Sequence, residues 1–258
     1  VLQDRAHSGA RHRNPTMNTL VRRILPLVRK PVRVFARALL SPEARVRLKA
    51  AWFPREMNYD AEYFLRDIDG PATPIMATSI LRDFAPKSVI DIGCGTGALL
   101  AQLRNEGCSV VGLEYAAAAR ELCAKRGLDA IAFDIMYDNF DAPRPYDVVI
   151  SMEVAEHLPE HVADRYVDLL ARLGKNIVLT AATPGQGGTD HVNEQPHEYW
   201  IKKFEQRNRI LDWTLTSNWR AAWRDSGHVQ SWYYNNLLVF RAPRKAFTLG
   251  GVPQPETV

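Results

Sequence analysis

The chain of 258 residues is 46% hydrophobic and 24% charged, enough to bury one sizeable core, and its length predicts a single large α/β domain with an added lobe. No apolar run approaches the roughly 18 residues that a membrane-spanning helix needs, and no secretion signal is recognisable, so we expect a cytoplasmic protein. Three cysteines without C-x-x-C spacing argue against a disulfide framework and against a zinc site.

Positive charge is concentrated at the start of the chain. Residues 1–50 hold 12 Lys/Arg and 2 Asp/Glu, whereas the remaining 208 residues hold 21 and 27. From Leu20 to Leu40, basic and apolar residues are mixed and interrupted by Pro26 and Pro31, a pattern that predicts short basic amphipathic helices. This arm is expected to pack on the main domain as a cap; the alternative is peripheral docking on the anionic inner membrane surface or on an acidic partner.

From residue 59 onward, helix-like and strand-like runs alternate. The predicted helices cover residues 59–69, 71–84, 98–105, 116–126 and 159–173. The predicted strands cover residues 88–92, 109–113, 130–133, 147–151 and 176–180, and two further β-rich runs at 210–216 and 232–240 are expected to form a closing pair with an antiparallel edge strand. The alternation predicts an α/β fold with a doubly wound, mostly parallel, seven-stranded Rossmann-like sheet. We divide the chain into a disordered leader (1–16), the helical arm (17–58), the main domain (59–245) and a loose tail (246–258).

A glycine-rich turn follows the first predicted strand, in the segment Val89-Ile-Asp-Ile-Gly-Cys-Gly-Thr-Gly97. Gly93, Gly95 and Gly97 permit a tight turn and a close approach of a ligand to the backbone. Alone they also fit the dinucleotide pattern G-x-G-x-x-G/A of an NAD-dependent oxidoreductase. Asp91 favours another ligand, because a carboxylate is unfavourable beside a pyrophosphate but can accept hydrogen bonds from the cationic amino end of S-adenosylmethionine (SAM).

Two more acidic residues end the next two predicted strands. Glu114 lies 21 residues after Gly93, where a carboxylate can hold both hydroxyls of a ribose. Asp134 can accept a hydrogen bond from the exocyclic amine of adenine, although a strand-end acid is also a common helix cap. Three acids at three successive strand ends outline one nucleoside. The predicted SAM contacts also include Cys94, Tyr115 and Ile135, which adjoin these groups in sequence, and Met152, which follows the fourth predicted strand.

These segments resemble the SAM-binding segments of class I methyltransferases over roughly residues 70–240. Residues 151–158, Ser-Met-Glu-Val-Ala-Glu-His-Leu, are similar to the corresponding segments of ubiquinone-pathway O-methyltransferases and of small-RNA 2′-O-methyltransferases. The resemblance implies a SAM donor, an oxygen acceptor and a divalent metal, Mg²⁺ or Mn²⁺, held by Glu153, Glu156 and His157.

The residue types suit that metal. A helix starting at the end of the fourth strand would place Glu153, Glu156 and His157 on one face, and two carboxylates with an imidazole suit a hard divalent cation. The alternative is that the glutamates favour a helix start and the histidine packs. His197 matches the further histidine ligand of the RNA enzymes, and His191 is then available as the general base, with His157 helping to orient the acceptor. Either loop histidine could instead make an ordinary hydrogen bond.

The expected function is SAM-dependent O-methylation of a sugar, a glycan or another small hydroxylated metabolite. The hydrogen-bonding groups of the loop after the fifth strand favour a sugar, and three tryptophans could stack on its ring or belong to the core: Trp200, Trp213 and Trp219. The alternatives are a phenolic or quinone lipid at the membrane, RNA, and a non-catalytic SAM-fold subunit. A nucleic-acid partner is disfavoured because the main domain is acidic and lacks an obvious basic and aromatic path.

Overall fold

A computed structural model describes residues 70–243. The predicted leader, the basic arm, the helix over residues 59–69 and the tail over 246–258 lie outside these residues. Inside them, none of the helices combines the length and the apolar character that crossing a bilayer requires.

Helices and strands alternate through most of the described chain. The helices are α1 (Ala72–Phe84), α2 (Ala98–Asn105), α3 (Ala117–Lys125), α4 (Ala163–Leu173), α5 (His197–Glu205), α6 (Trp213–Asp225) and α7 (Ser231–Asn236). The strands are β1 (Ser88–Ile92), β2 (Ser109–Glu114), β3 (Ala130–Ala132), β4 (Tyr146–Met152), β5 (Gly174–Thr180), β6 (Ile210–Leu211) and β7 (Leu237–Arg241). The first five predicted strands and the helices between them are confirmed to within a few residues.

The strands form one seven-stranded sheet in the order β3-β2-β1-β4-β5-β7-β6. β1 pairs in parallel with both β2 and β4, so the chain extends the sheet first to one side of β1 and then to the other. At such a reversal the loops diverge, leaving a crevice beyond the carboxyl ends of the strands where ligands bind. β7 runs antiparallel to both β5 and β6, and β6 forms the edge of the predicted closing pair.

Hydrophobic layers cover both faces of the sheet, as the strand sequences require. Alternate residues of a strand point to opposite faces: Ile90 and Val149 belong to one buried cluster, while Val89 and Val148 belong to the other. The first cluster includes residues of α4 and α5, and the second includes residues of α1, α2 and α6. Because helices cover both faces, the sheet is doubly wound as predicted.

The last part of the chain differs from the prediction of two long β-rich runs. Only Ile210–Leu211 is extended in the first run, because Asp212 caps the next helix by accepting a hydrogen bond from the Leu215 amide at 2.9 Å. The second run begins with helix Ser231–Asn236, and only Leu237–Arg241 is a strand. Residues 213–216 and 232–236, which were predicted as strand, are therefore helical.

Candidate functional site

The glycine turn follows β1 at the crevice. Gly93, Gly95 and Gly97 have φ angles of 79°, 53° and 73°, the left-handed region that favours glycine. A Cβ on Gly93 would lie 2.5 Å from Cγ2 of Val154, and one on Gly97 would lie 2.7 Å from Cδ1 of Leu128. At Gly93 the turn is therefore packed against the segment that follows β4, and at Gly97 it is packed against Leu128, so a larger residue at either glycine would displace that neighbour.

Two buried carboxylates flank this turn. Glu114 accepts hydrogen bonds from the amides of Gly95 at 2.9 Å and Ala116 at 2.7 Å, so it holds the turn against β2. Burial raises the pKa of Asp91 well above its usual range, and the charge of Glu114 adds to the rise. Burial also raises the pKa of Glu114, which the amides of Ala116 and Gly95 partly offset. A cationic ligand group would relieve this repulsion and be bound favourably.

Asp134 lies in the turn after β3. One of its carboxylate oxygens accepts a hydrogen bond from the Met136 amide at 2.9 Å, and its own amide donates to Asp138 at 2.8 Å. The carboxylate thus stabilises its own turn, the capping role that competes with adenine binding. The adenine contact stays a prediction.

The remaining predicted SAM contacts differ in how accessible their side chains are. Tyr115 and Met152 are half-buried at the carboxyl ends of β2 and β4. Cys94 is also half-buried, with its sulfur 4.0 Å from that of Cys123. The Ile135 side chain is buried in the hydrophobic core, so a ligand could meet Ile135 mainly through its backbone.

The segment after β4 does not form the predicted helix. Glu153 has a φ of 53°, and its amide donates to the Thr180 carbonyl at 3.1 Å. Two short 3₁₀ turns follow, Ala155–His157 and Glu160–Val162, and α4 starts at Ala163. The prediction that one helical face presents Glu153, Glu156 and His157 is therefore wrong.

A different set of three side chains does come together, with His191 in place of Glu153. One ligand atom from each of Glu156, His157 and His191 lies within 4.8 Å of the other two. Glu156 is 0% exposed, and its carboxylate oxygens make no hydrogen bond of standard geometry to the described residues. Burial raises the pKa of Glu156 well above its usual range, and the charge of Glu153 adds to the rise. The three residues have the composition of a divalent-cation site.

His191 is held by a carboxylate. Its Nδ1 lies 2.8 Å from Glu194 Oε1, and the Glu194 carboxylate also accepts hydrogen bonds from the amides of Gly185 at 2.9 Å and Gly187 at 2.7 Å. Burial alone would raise the pKa of Glu194, but the hydrogen bonds from His191 and the two glycine amides lower it overall. A charged Glu194 favours the tautomer with hydrogen on Nδ1, which leaves Nε2 to accept a proton or bind a cation.

His197 lies elsewhere, at the start of α5. Its Nδ1 is 3.4 Å from Nη2 of Arg220, and burial lowers its pKa, with the Arg220 charge adding to the effect. A neighbouring guanidinium disfavours a bound cation. In the structure, His191 and not the predicted His197 joins Glu156 and His157.

Glu153 is engaged by two amide side chains. Asn236 donates from Nδ2 to Glu153 at 3.1 Å and to Gln186 Oε1 at 2.9 Å, and Gln186 donates from Nε2 to Glu153 at 3.3 Å. This triangle, which we call the amide clasp, connects the end of β4, the glycine-rich loop 183–189 and α7. Glu153 therefore acts as a hydrogen-bond acceptor within the clasp and lies outside the three-residue cluster.

An open cavity of about 610 Å³ lies beside these groups, within the size range of small-molecule sites. Three segments line it, one after β4, one in the loop after β5 and one in α7. His157 and His191 lie on one side, and Trp232 lies in the α7 wall. Trp200 and Trp219, two of the predicted stacking residues, are buried in the core, and Trp213 is exposed outside the cavity lining.

Sequence reasoning assigned no role to several of these groups. Glu194 was detectable as an acid three residues after a loop histidine. Trp232 and Asn236 were hidden because their run of Trp, Tyr and Asn was interpreted as a strand. Gln186 carried no signal, since its partners are 33 and 50 residues away.

Comparisons with known proteins identify the family of this chain. The profile of a family described as "Methyltransferase domain" matches residues 64–235. A ubiquinone biosynthesis O-methyltransferase of Klebsiella pneumoniae is 34% identical over 170 residues, which cover 58% of this chain and 67% of the relative. A dTDP-4-amino-2,3,4,6-tetradeoxy-D-glucose N,N-dimethyltransferase of Saccharopolyspora spinosa is 31% identical over 130 residues, covering 49% of this chain and 50% of the relative.

A solved structure shares the fold. The SAM-bound amino pentose methyltransferase of Micromonospora echinaspora matches with a TM-score of 0.53 at 18% identity, covering 71% of this chain and 95% of that one. At this level of identity the similarity establishes the fold alone, that of a Rossmann-like methyltransferase sheet.

Proposed function

Because this chain belongs to the methyltransferase domain family, we propose that it transfers the methyl group of SAM to a hydroxyl oxygen of a sugar or a similar small hydroxylated acceptor. One observation carries the proposal, namely that the predicted donor site adjoins the cavity. The glycine turn, with its two buried acids, packs on Val154, and the segment around Val154 lines the cavity together with His191, which is hydrogen-bonded to Glu194. The relatives named for ubiquinone biosynthesis and for a dTDP-linked amino sugar support small-molecule acceptors of this kind.

The residues of the donor side fit SAM. Asp91 is a buried acceptor to which the described residues donate no hydrogen bond, and burial together with the charge of Glu114 raises its pKa. The glycine turn offers backbone amides and leaves no room for side chains at Gly93 and Gly97. When bound, SAM supplies a methyl carbon whose bond to sulfur breaks as the bond to the acceptor oxygen forms.

On the acceptor side, the hydroxyl group must lose its proton as the new bond to oxygen forms. In the proposal, Nε2 of His191 accepts the hydroxyl proton, and Glu194 stabilises the resulting imidazolium. A well-positioned general base contributes about 10²- to 10⁴-fold in rate, and holding two reactants in line supplies much of the remainder. The products are the methyl ether and S-adenosylhomocysteine (SAH).

The test uses the full-length chain. Calorimetric titration with SAM and SAH is expected to show binding. Transfer of label from methyl-tritiated SAM is then measured with separate panels of glycosides, quinols and RNA oligonucleotides, with His191→Ala as the comparison. Methylation of glycosides that His191→Ala abolishes supports the proposal. Label in the quinol or RNA panel alone, or in none, would overturn it.

A divalent cation is a second candidate for the same cavity. Glu156 favours it, because a fully buried carboxylate without a hydrogen bond of standard geometry calls for a proton or a metal. Glu156, His157 and His191 would hold the ion, which would lower the pKa of an acceptor hydroxyl. In this arrangement His191 would be a ligand in place of the base.

Metal binding can be measured without an acceptor. Chelator-treated protein titrated with Mn²⁺ and followed by electron paramagnetic resonance is expected to bind one ion, and Glu156→Gln is expected to lose it. Glu160→Gln, at an exposed position in the next turn, is the matched control. Equal Mn²⁺ binding by wild type and Glu156→Gln, or none by wild type, would remove the metal from the site.

A further inference from the structure

We propose that Trp232 is the stacking platform of an acceptor subsite that takes the neutral pyranose ring of a glycoside. This inference rests on the proposed function and deepens it, because it selects one acceptor class for the cavity. Trp232 lies in the cavity wall and is 41% exposed, whereas Trp200, Trp219 and Trp223 are each 0% exposed. An aromatic face left open inside a concave site is available to a ligand with an apolar face of its own.

The wall around Trp232 carries neutral hydrogen-bonding groups. Ser231 and Asn235 line the cavity from α7, and Thr183 lines it from the loop after β5. The side chains of these three residues make no hydrogen bond to another described residue. Hydroxyl and amide groups both donate and accept, which matches the hydroxyls of a sugar, while the C–H face of a pyranose can lie on an indole.

The amide clasp fixes the distance across this subsite. Asn236 is 1% exposed and bonds both Glu153 and Gln186, so α7 is connected to the loop that precedes His191. Trp232 is four residues before Asn236 on the same helix, so the two side chains lie on the same side of it. A ring placed on Trp232 is therefore held at a defined position relative to His157 and His191.

Charge selects among ring-shaped acceptors. Among residues 70–243, the cavity lining includes no lysine and no arginine, and it includes the carboxylate of Glu153. A ring carrying phosphate or carboxylate would meet repulsion there without a compensating cation. A quinol could stack on Trp232 but would leave the polar groups of Ser231, Asn235 and Thr183 unpaired, which costs free energy once they are desolvated. A neutral glycoside satisfies both features.

The experiment measures binding separately from turnover. Full-length protein saturated with SAH is mixed with neutral methyl hexopyranosides of several configurations, with glucose 6-phosphate and with hydroquinone, and saturation-transfer NMR reports ligand contact. We expect transfer to the ring C–H groups of at least one hexopyranoside, about 10-fold weaker binding in Trp232→Ala, and partial retention in Trp232→Phe. Trp213→Ala is the matched control, since Trp213 is 59% exposed but does not line the cavity.

The possible outcomes separate this inference from the proposed function. No binding of any hexopyranoside, binding that is unchanged in Trp232→Ala, or preference for the phosphate or the quinol would overturn the subsite. Methyl transfer to a glycoside with the same KM in wild type and Trp232→Ala would also overturn it while leaving the function intact. Trp232-dependent binding without any methyl transfer would support the subsite and overturn the function.

Discussion

At the scale of single residues, the proposed function assigns the donor specificity to Asp91. It was predicted from its position two residues before the first glycine, and the structure places it buried beside Glu114. Asp91→Asn keeps the shape but removes the charge, so SAM affinity is expected to fall about 10- to 100-fold, the value of a hydrogen bond to a charged group. Calorimetry checks this, with exposed Asp129→Asn as the control. Equal affinity of wild type and Asp91→Asn would refute the assignment.

In the proposed reaction, Glu194 acts through His191. Glu194→Gln removes the negative charge and replaces one of the two acceptor oxygens with NH₂, so the Nδ1–H of His191 and the amides of Gly185 and Gly187 no longer all find an acceptor. We expect kcat to fall about 10- to 100-fold, part of what a positioned base supplies, with SAM affinity unchanged. Exposed Glu198→Gln should behave as wild type in the same assay. An unaltered kcat in Glu194→Gln would show that His191 needs no orienting carboxylate.

How far single residues could be predicted depended on whether their partners were local. Asp91 and Glu114 belong to strand ends that the sheet brings together, so chain order was enough. Glu153 and Asn236 are hydrogen-bonded although they lie 83 positions apart in the sequence. The positive φ of Glu153 was also not predictable, because a glutamate does not indicate a left-handed backbone. The same reason explains the exchange of His197 for His191, because Arg220, the neighbour of His197, lies in α6, a helix that was not predicted.

At the scale of secondary-structure elements, the contact between the glycine turn and the segment after β4 can be tested. Gly93→Ala meets two penalties, a left-handed φ and a side chain 2.5 Å from Val154. Gly185→Ala meets only the first, because nothing lies within 4 Å of its added carbon. We expect Gly93→Ala to lose about 1–3 kcal/mol more unfolding free energy than Gly185→Ala, the range for overpacking. Equal losses in urea unfolding would mean that the turn and Val154 are not rigidly packed.

Asp147 connects three strands at their amino ends. Its carboxylate accepts hydrogen bonds from Lys175 at 2.9 Å and from the Lys87 and Ser88 amides at 3.0 and 3.1 Å. The Lys175 ammonium, with these amides, lowers the pKa of Asp147 from 3.8 to about 2.

A lowered pKa means that Asp147 stabilises the fold above about pH 4 and loses this contribution as the pH falls toward about 2. Asp147→Asn is therefore expected to lower the unfolding free energy by about 1–2 kcal/mol at neutral pH, and the gap to wild type should close in acid. Urea unfolding at several pH values measures it. Asp141→Asn is the control, because the Asp141 side chain is 85% exposed in its ion pair and its loss should change the unfolding free energy little. A gap that persists below pH 2 would contradict the titration argument.

The elements themselves were predictable where hydrophobic periodicity was strong. β1, β4 and β5 are short, almost continuously buried apolar runs, as expected of central parallel strands, and helix-length amphipathic segments separate the strands. α6 and α7 were missed because Trp, Tyr and Thr favour strands locally, and burial of Trp219 and Trp223 against α1 overrides that preference. Asp212 was an available helix-start signal.

At the scale of the whole molecule, the uneven charge of the chain predicts a behaviour outside the described residues. The excess of positive charge in residues 1–50 should attract anionic surfaces, while the acidic remainder should not. If the arm docks on membranes, the alternative to the expected packed cap, deleting residues 1–40 will weaken co-sedimentation with vesicles containing phosphatidylserine, and added salt will weaken binding of the whole chain. Vesicles of phosphatidylcholine are the control. Equal binding with and without the arm would favour the packed cap.

The Asp147 network and the cavity lie at opposite ends of the same strands. Lys87, Asp147 and Lys175 join strand beginnings, whereas Asp91, Glu153 and the two cavity histidines lie at or beyond strand endings. The groups that stabilise the fold and the groups proposed to react thus lie at opposite ends of the strands. An engineer could immobilise the protein, or thermostabilise it, through the anchored rim while leaving the reactive rim open to incoming molecules.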